Sequence, residues 1–395
     1  HITYGTSEYG LKIVPYGLLT ESNIRQDILR EITFERWDET KCFFKTSPSG
    51  IPFDIFSASF FLLSRYEEYV VEDRDAHNRF SAESSILLKN NVLQEPLINI
   101  WALKLKSQIQ KRYPELKFTP RKFQFKSTID VDQTWKFKHK EIWRSSLAAM
   151  RDLLKGNSEN FVDRIKVTLR WKQDPFYNFR WQNKLHNRYD VDVNYFWLLG
   201  DYSTYDKNIP YTNAAQKELI LSVLKRKNSQ VGIHPSYASN DDENKVVAEI
   251  KRLQSIIGDF KTSRQHFLKL ILPKTYQHLL NQGIREDYTM GYSTHHGFRA
   301  GIAAAFPFYD LTENKVTSLQ LIPFCVMDIT SPHYYGETPD QAIATLKTQM
   351  DKVAEIGGLF VSLWHNESLS ETERWKGWRL VYEEMIKYGY YLTTL

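Results

Sequence analysis

The sequence predicts an α/β protein in two parts: a smaller amino-terminal α+β domain over residues 1–120, and a barrel of parallel strands and helices over 121–395. Three observations lead there. Apolar runs of strand length recur after residue 123, several followed by amphipathic segments with readable helix caps. About seven such strand-then-helix units favour a barrel over an open sheet. The polar stretch Tyr113–Arg121, with Pro114 and Pro120, separates them from a leading region that lacks this alternation.

In the leading region Phe53–Tyr69 reads as a buried helix, because Phe56, Phe60, Leu63 and Tyr66 recur at helical spacing. Glu67 and Glu68 are expected at its solvated end. Pro96–Arg112 reads as a second, amphipathic helix. Beyond the linker, Phe123–Val131 reads as a strand ending in acids. The long stretch Trp135–Tyr189 follows, basic and aromatic. It is expected to be a helical insertion with a solvated basic face, with Leu147, Met150, Leu153 and Leu154 as core positions; the competing reading is a cap over a cleft. Val191–Leu199, Gln230–His234, Phe260–Phe267, Leu319–Met327 and Leu359–Trp364 read as further strands. The segment Asn240–Gly258 reads as a helix with Val247, Ile250, Leu253 and Ile257 on one face, acids at its start and glycine at its end. Thr338-Pro-Asp-Gln341 is a capping box whose helix should stop at Gly357-Gly358, and Ser370-Glu-Thr-Glu373 is expected to open the last helix in the same way.

Composition narrows the function. Hydrophobic residues make up 42% of the 395, enough for full cores, and net charge is +5 with acids and bases interleaved, which argues against a dedicated nucleic-acid binder. The aromatic share of 14% suits a sugar-binding cleft as well as a generous core. Cys42 and Cys325 match no metal or disulfide spacing. No stretch approaches the roughly 20 apolar residues of a membrane helix. Nothing at His1–Gly10 reads as a signal peptide, so a soluble, cytoplasmic protein is expected.

Candidate chemistry lies where barrel strands end. The first strand ends Asp130-Val-Asp132, two carboxylates on one side of an extended chain that repel unless a cation or proton sits between them. A later strand ends in His234, followed by Pro-Ser-Tyr237. The next gives Arg264-Gln-His266. Asp287 closes the short segment from Gly283, and the last strand gives Leu363-Trp364-His365-Asn366-Glu367.

That order, together with Asp287-Tyr-Thr-Met-Gly-Tyr292 and Gly297-Phe-Arg-Ala-Gly301, resembles the polysaccharide deacetylase family, the NodB homology domain, over about residues 123–395. The resemblance implies a distorted (β/α)7 barrel, a divalent metal with zinc as the expected ion, and an N-acetylated carbohydrate substrate. It implies Asp130 as general base, Asp132 and His234 as metal ligands, Arg264 holding Asp130, Asp287 tuning the acid, and His365 as general acid. Trp364, Tyr237 and Arg299 are the expected substrate contacts. Two positions depart from the pattern. The family usually carries a second histidine four residues after the first, and here that residue is Ala238. His266, where the family has proline, is the replacement ligand expected, with His295 and His296 as alternatives. The competing functions are a catalytically silent barrel that binds glycans or serves assembly, and an O-deacetylase. The amino-terminal domain carries no catalytic constellation and is read as structural, shaping substrate access or a homo-oligomer contact.

Overall fold

Each strand of the carboxy-terminal part sorts its side chains by the period-two rule. Four short strands precede them in the amino-terminal region, β1 (Ile2–Tyr4), β2 (Leu11–Ile13), β3 (Glu35–Trp37) and β4 (Thr40–Cys42). In β5 (Gln124–Val131) Ile129 and Val131 face the main core; so do Tyr195 and Trp197 of β6 (Val193–Trp197), and Val231 and Ile233 of β7 (Ser229–Ile233). The main core is completed by Ile220, Leu253, Leu279, Met350 and Ile386 from helices 214–224, 243–257, 274–281, 339–355 and 378–393. The opposite side chains, Phe196 with Val361 and Leu363 of β13 (Leu359–His365), meet Leu268, Tyr288, Ile322 and Phe324 in a separate small core.

The computed structural model describes residues 2–5, 10–47, 50–140, 150, 154 and 158–395. Its main sheet has nine strands, adding β8 (Thr262–Ser263), β9 (Glu286–Asp287), β10 (Phe306–Asp310), β11 (Lys315–Leu321) and β12 (Val326–Met327). The order is β10-β11-β9-β8-β7-β6-β5-β13-β12, and every neighbouring pair is parallel except β10–β11. The molecule is thus mixed α/β with a large parallel sheet, and its helices supply the crossovers that parallel pairing needs.

Two expected strands are shorter. Of Phe260–Phe267 only Thr262–Ser263 pairs, because the chain turns at Phe267 and Leu268, both at positive φ. Leu319–Met327 is split around Pro323, which has no N–H to give a ladder. The box at Thr338 forms as expected, and its helix runs Pro339–Glu355. The one at Ser370 does not. The Ser370 hydroxyl bonds Thr372, and the last helix begins at Trp378 after Gly377 at φ 85°, with the Glu371 carboxylate accepting from the Gly377 and Arg379 amides. In the insertion, helices cover Ser158–Thr168 and Phe179–Tyr189. Met150 and Leu154, expected in its core, are 54% and 83% exposed; Leu147 and Leu153 lie outside the described residues.

The amino-terminal region has a core of its own, in which Phe43, Phe53, Phe61 and Trp101 pack edge to face. Its first long helix, Ile55–Leu63, is capped by Asp54 and broken at Arg65, whose φ of 55° separates it from Tyr66–Val70. Residues 114–122 run exposed to the start of the sheet. Glu67 and Glu68, expected in solvent, are buried with Arg65. Both cysteines are free and buried. No helix of the described residues is long and apolar enough to cross a membrane.

Candidate metal centre

Asp130, Asp132, His234, His266 and His365 all reach one cavity of about 250 Å³ at the carboxyl ends of the strands. Parity explains why. Asp130 sits opposite Ile129 and Val131, His234 follows core-facing Ile233, and His365 shares the face of Leu363 and Val361.

His234 Nε2 lies 3.3 Å from Asp132 Oδ1, and His266 Nε2 lies 3.5 Å from Asp132 Oδ2. Donors about 2.1 Å from a tetrahedral ion lie about 3.4 Å from each other, so these spacings suit a metal such as zinc. The three ligand atoms all fall within 4.8 Å of one another. Asp132 Oδ1 and His234 Nε2 are buried without a hydrogen-bond partner, as unfilled ligand atoms should be. Each imidazole is fixed from behind: His234 Nδ1 meets the Arg264 carbonyl at 2.5 Å, and His266 Nδ1 meets Asp206 Oδ1 at 2.9 Å. Such outer contacts set the tautomer that leaves Nε2 free for a metal.

The charges agree. Burial opposes ionisation of Asp132, but His266, His234 and His365 outweigh it and hold the carboxyl well below the ordinary range. Burial likewise opposes a charge on His266, but Asp132 and then Asp206 raise it to about 9. The group therefore keeps a proton where a cation would relieve the same repulsion.

Asp206 was missed in the sequence. It also accepts from the Tyr237 and Ala238 amides at 2.7 and 3.3 Å. The loop that lacks the second histidine thus holds, through its backbone, the carboxylate that orients His266. His295 and His296 do not join the group: His295 bonds Thr294, and buried His296 bonds Ser331.

Beside these ligand candidates, Asp130 Oδ1 accepts from Arg264 Nη1 at 2.9 Å, and its Oδ2 lies 3.6 Å from His234 Nε2. The Arg264 guanidinium is sealed over the Phe196 ring at 4.8 Å. Across the cavity, His365 Nε2 is 3.9 Å from Asp132 Oδ2. Asp328, also missed, binds His365 twice, at Nδ1 (3.0 Å) and at the amide (2.7 Å). Burial opposes the imidazolium, but Asp328, then Asp132 and Asp130, raise His365 to about 10.

Four expected roles fall elsewhere. Asp287 does not pair with His365; it is fully buried, bonded to Ser263 and Thr289, and burial raises its carboxyl. Asp328 occupies the place expected of it. Trp364 cannot share a face with His365, and it packs edge-on against Tyr382 at 4.9 Å in the core. Arg299 is buried in a two-pronged pair with Glu68, at 2.9 and 2.7 Å, rather than offered to a ligand. Tyr237 packs among His77, Tyr205 and Phe267 behind the cavity wall. The aromatic rings that do line the cavity are Tyr334, Trp375 and Phe267. A larger cleft of about 500 Å³ lies beside the insertion.

Residues 1–114 match the model of a family of unknown function, DUF7033. No curated protein matches the chain. The chain is similar to the solved structure of a putative polysaccharide deacetylase from Mycobacterium smegmatis, at 16% identity and a TM-score of 0.43, over 69% of this chain and 86% of that one. It is similar to a putative polysaccharide deacetylase involved in O-antigen biosynthesis from Bordetella bronchiseptica, at 13% identity and a TM-score of 0.35, over 67% and 83%. It is also similar to Puue allantoinase, at 11% identity and a TM-score of 0.41, over 67% and 83%. Likenesses this distant say nothing of chemistry, which is carried by the side chains.

Proposed function

We propose that the chain is a divalent-metal-dependent hydrolase that removes an N-acetyl group from a sugar or polysaccharide, with zinc as the metal. The observation that carries this reading is the convergence of Asp132, His234 and His266, with two buried ligand atoms lacking partners, between a carboxylate on one side and an imidazolium on the other. Under this reading the sheet is the distorted (β/α)7 barrel of the polysaccharide deacetylases. Support comes from Phe196, Ile322 and Leu363, which belong to separated parts of the sheet yet meet in one small core. The division at about residue 120 belongs to the same proposal.

Asp132, His234 and His266 would hold the ion. Once bound there, a divalent ion supplies Lewis acidity toward an acyl carbonyl and brings the pKa of water down to about 7. Asp130, held in place by Arg264, accepts the proton of the attacking water. His365, kept protonated by Asp328, delivers a proton to the departing nitrogen, without which an amine is a poor leaving group. Tyr334 and Trp375 offer apolar faces on which a pyranose stacks.

The test is acetate release from N-acetylglucosamine oligomers and from O-acetylated sugars, with zinc content measured on the same preparations. Chelation, Asp132→Ala and His234→Ala should each abolish release from the amide. Full activity in any of these sinks the proposal, and release from the esters alone turns it into an O-deacetylase.

A further inference from the structure

The amino-terminal region reaches the cavity through residues 74–80, a turn closed by an antiparallel bridge between Arg74 and Phe80. Inside it, Asp75 Oδ1 accepts from the His77 and Arg79 amides at 2.8 and 2.9 Å, while its Oδ2 holds Arg79 Nε at 2.7 Å. So braced, Arg79 donates from Nη1 to the Phe267 carbonyl at 2.6 Å. The His77 ring meets the Phe267 ring edge-on at 5.0 Å, and both His77 and Arg79 line the cavity.

Phe267 directly follows His266. It and Leu268 both take left-handed backbone, at φ 59° and 52°. Large side chains adopt that conformation only where their surroundings hold them in it. The barrel side supplies part of the hold, since the Tyr205 and Tyr237 rings lie 5.3 Å from Phe267. The polar part of the hold on the Phe267 carbonyl comes from the amino-terminal region.

We propose that the Asp75–Arg79 turn is a positioning element for the metal centre, with Arg79 holding the 266–268 turn so that His266 stays against Asp132 and His234. This rests on the proposed function insofar as His266 is a ligand. It gives the amino-terminal region a part in the chemistry without any reacting group of its own. A histidine beside the first on one loop would need no such support. A ligand carried at the edge of a left-handed turn does.

The experiment is calorimetric titration of the metal-free full chain with Zn²⁺, with the visible absorption of bound Co²⁺ as a second readout and thermal melting of the metal-free protein as a control. Arg79→Met should weaken Zn²⁺ binding about tenfold or more, as loss of an outer-contact group does, and alter the Co²⁺ spectrum, while metal-free melting changes little. Arg79→Lys should recover part of the affinity, because an ammonium can still reach the Phe267 carbonyl. In a His266→Ala background, Arg79→Met should cause no further loss. Should Arg79→Met not fold, Asp75→Asn, which removes only the brace, is expected to behave the same way. Unchanged affinity in these variants, or an equal loss with and without His266, overturns the inference. Wild-type protein that binds no Zn²⁺ overturns the proposed function itself.

Discussion

His266 and His365 each have a carboxylate behind the ring, Asp206 and Asp328. Under the proposed function the first orients a metal ligand and the second keeps a proton on the acid. Asp206→Asn is expected to weaken Zn²⁺ affinity by about 10–100-fold, measured by calorimetric titration; an affinity equal to wild type would refute the part assigned to Asp206. His365→Ala should lower kcat by about 10²–10⁴-fold. Asp328→Asn withdraws the charge that most raises His365, so its pKa falls and the alkaline limb of the kcat profile moves to lower pH. A limb that stays in place would show that His365 is not the acid. Neither Asp206 nor Asp328 was legible in the sequence. Each is a lone acid in a loop, more than thirty residues from the histidine it serves, and no local spacing marks it.

Strand parity was legible, and it decides between neighbours. Once His365 is assigned to the cavity, period two sends Trp364 to the core, where it lies. Helices act on the site as well. Glu249, on the Glu243–Ile257 helix, accepts from the Ser236 amide at 2.8 Å and hydroxyl at 2.6 Å, two residues beyond His234. Burial outweighs those bonds and pushes its carboxyl up from 4.5 to about 7. Because the folded state then binds this proton more tightly than the unfolded chain, its stabilisation is full below pH 4.5 and is lost as pH rises through about 7. The loss is on the order of 3 kcal/mol. Glu249→Gln cannot ionise, so denaturant unfolding at about pH 5 and pH 8 should show a smaller fall in stability than wild type. An identical fall in both proteins would remove Glu249 from the account.

Two cores meet across a buried ionic network. Glu68 takes Arg65 from its own region and Arg299 from the sheet region, and Tyr292 and Leu311 complete the amino-terminal core. Gly297, at φ 136°, lets the chains approach, since a Cβ there would lie 2.4 Å from the Leu93 carbonyl oxygen. Phe298 donates to that same carbonyl at 2.7 Å. The glycines of Gly297-Phe-Arg-Ala-Gly301 thus serve an approach between two parts of one chain. Burial opposes the Glu68 charge, but Arg299 and then Arg65 hold its carboxyl down at about 2. Its contribution is therefore present above pH 4.5 and is lost as pH falls toward 2. Glu68→Ala leaves two buried guanidinium groups short of a partner and should cost about 3–5 kcal/mol, read by urea unfolding at neutral pH. A cost below about 1 kcal/mol, the range of exposed ion pairs, would mean the network is solvated.

The sequence by itself determined the alternation of strands and helices, the caps at Thr338 and Gly258, and the candidate chemistry at strand ends, because these follow from local periodicity and residue type. Tertiary structure decided which histidine stands beside Asp132, which acids stand behind the histidines, and that Glu68 and Arg299 face each other instead of water. Those are distances between residues far apart along the chain. They are set by how the sheet and the amino-terminal core pack, which no spacing within a single segment encodes.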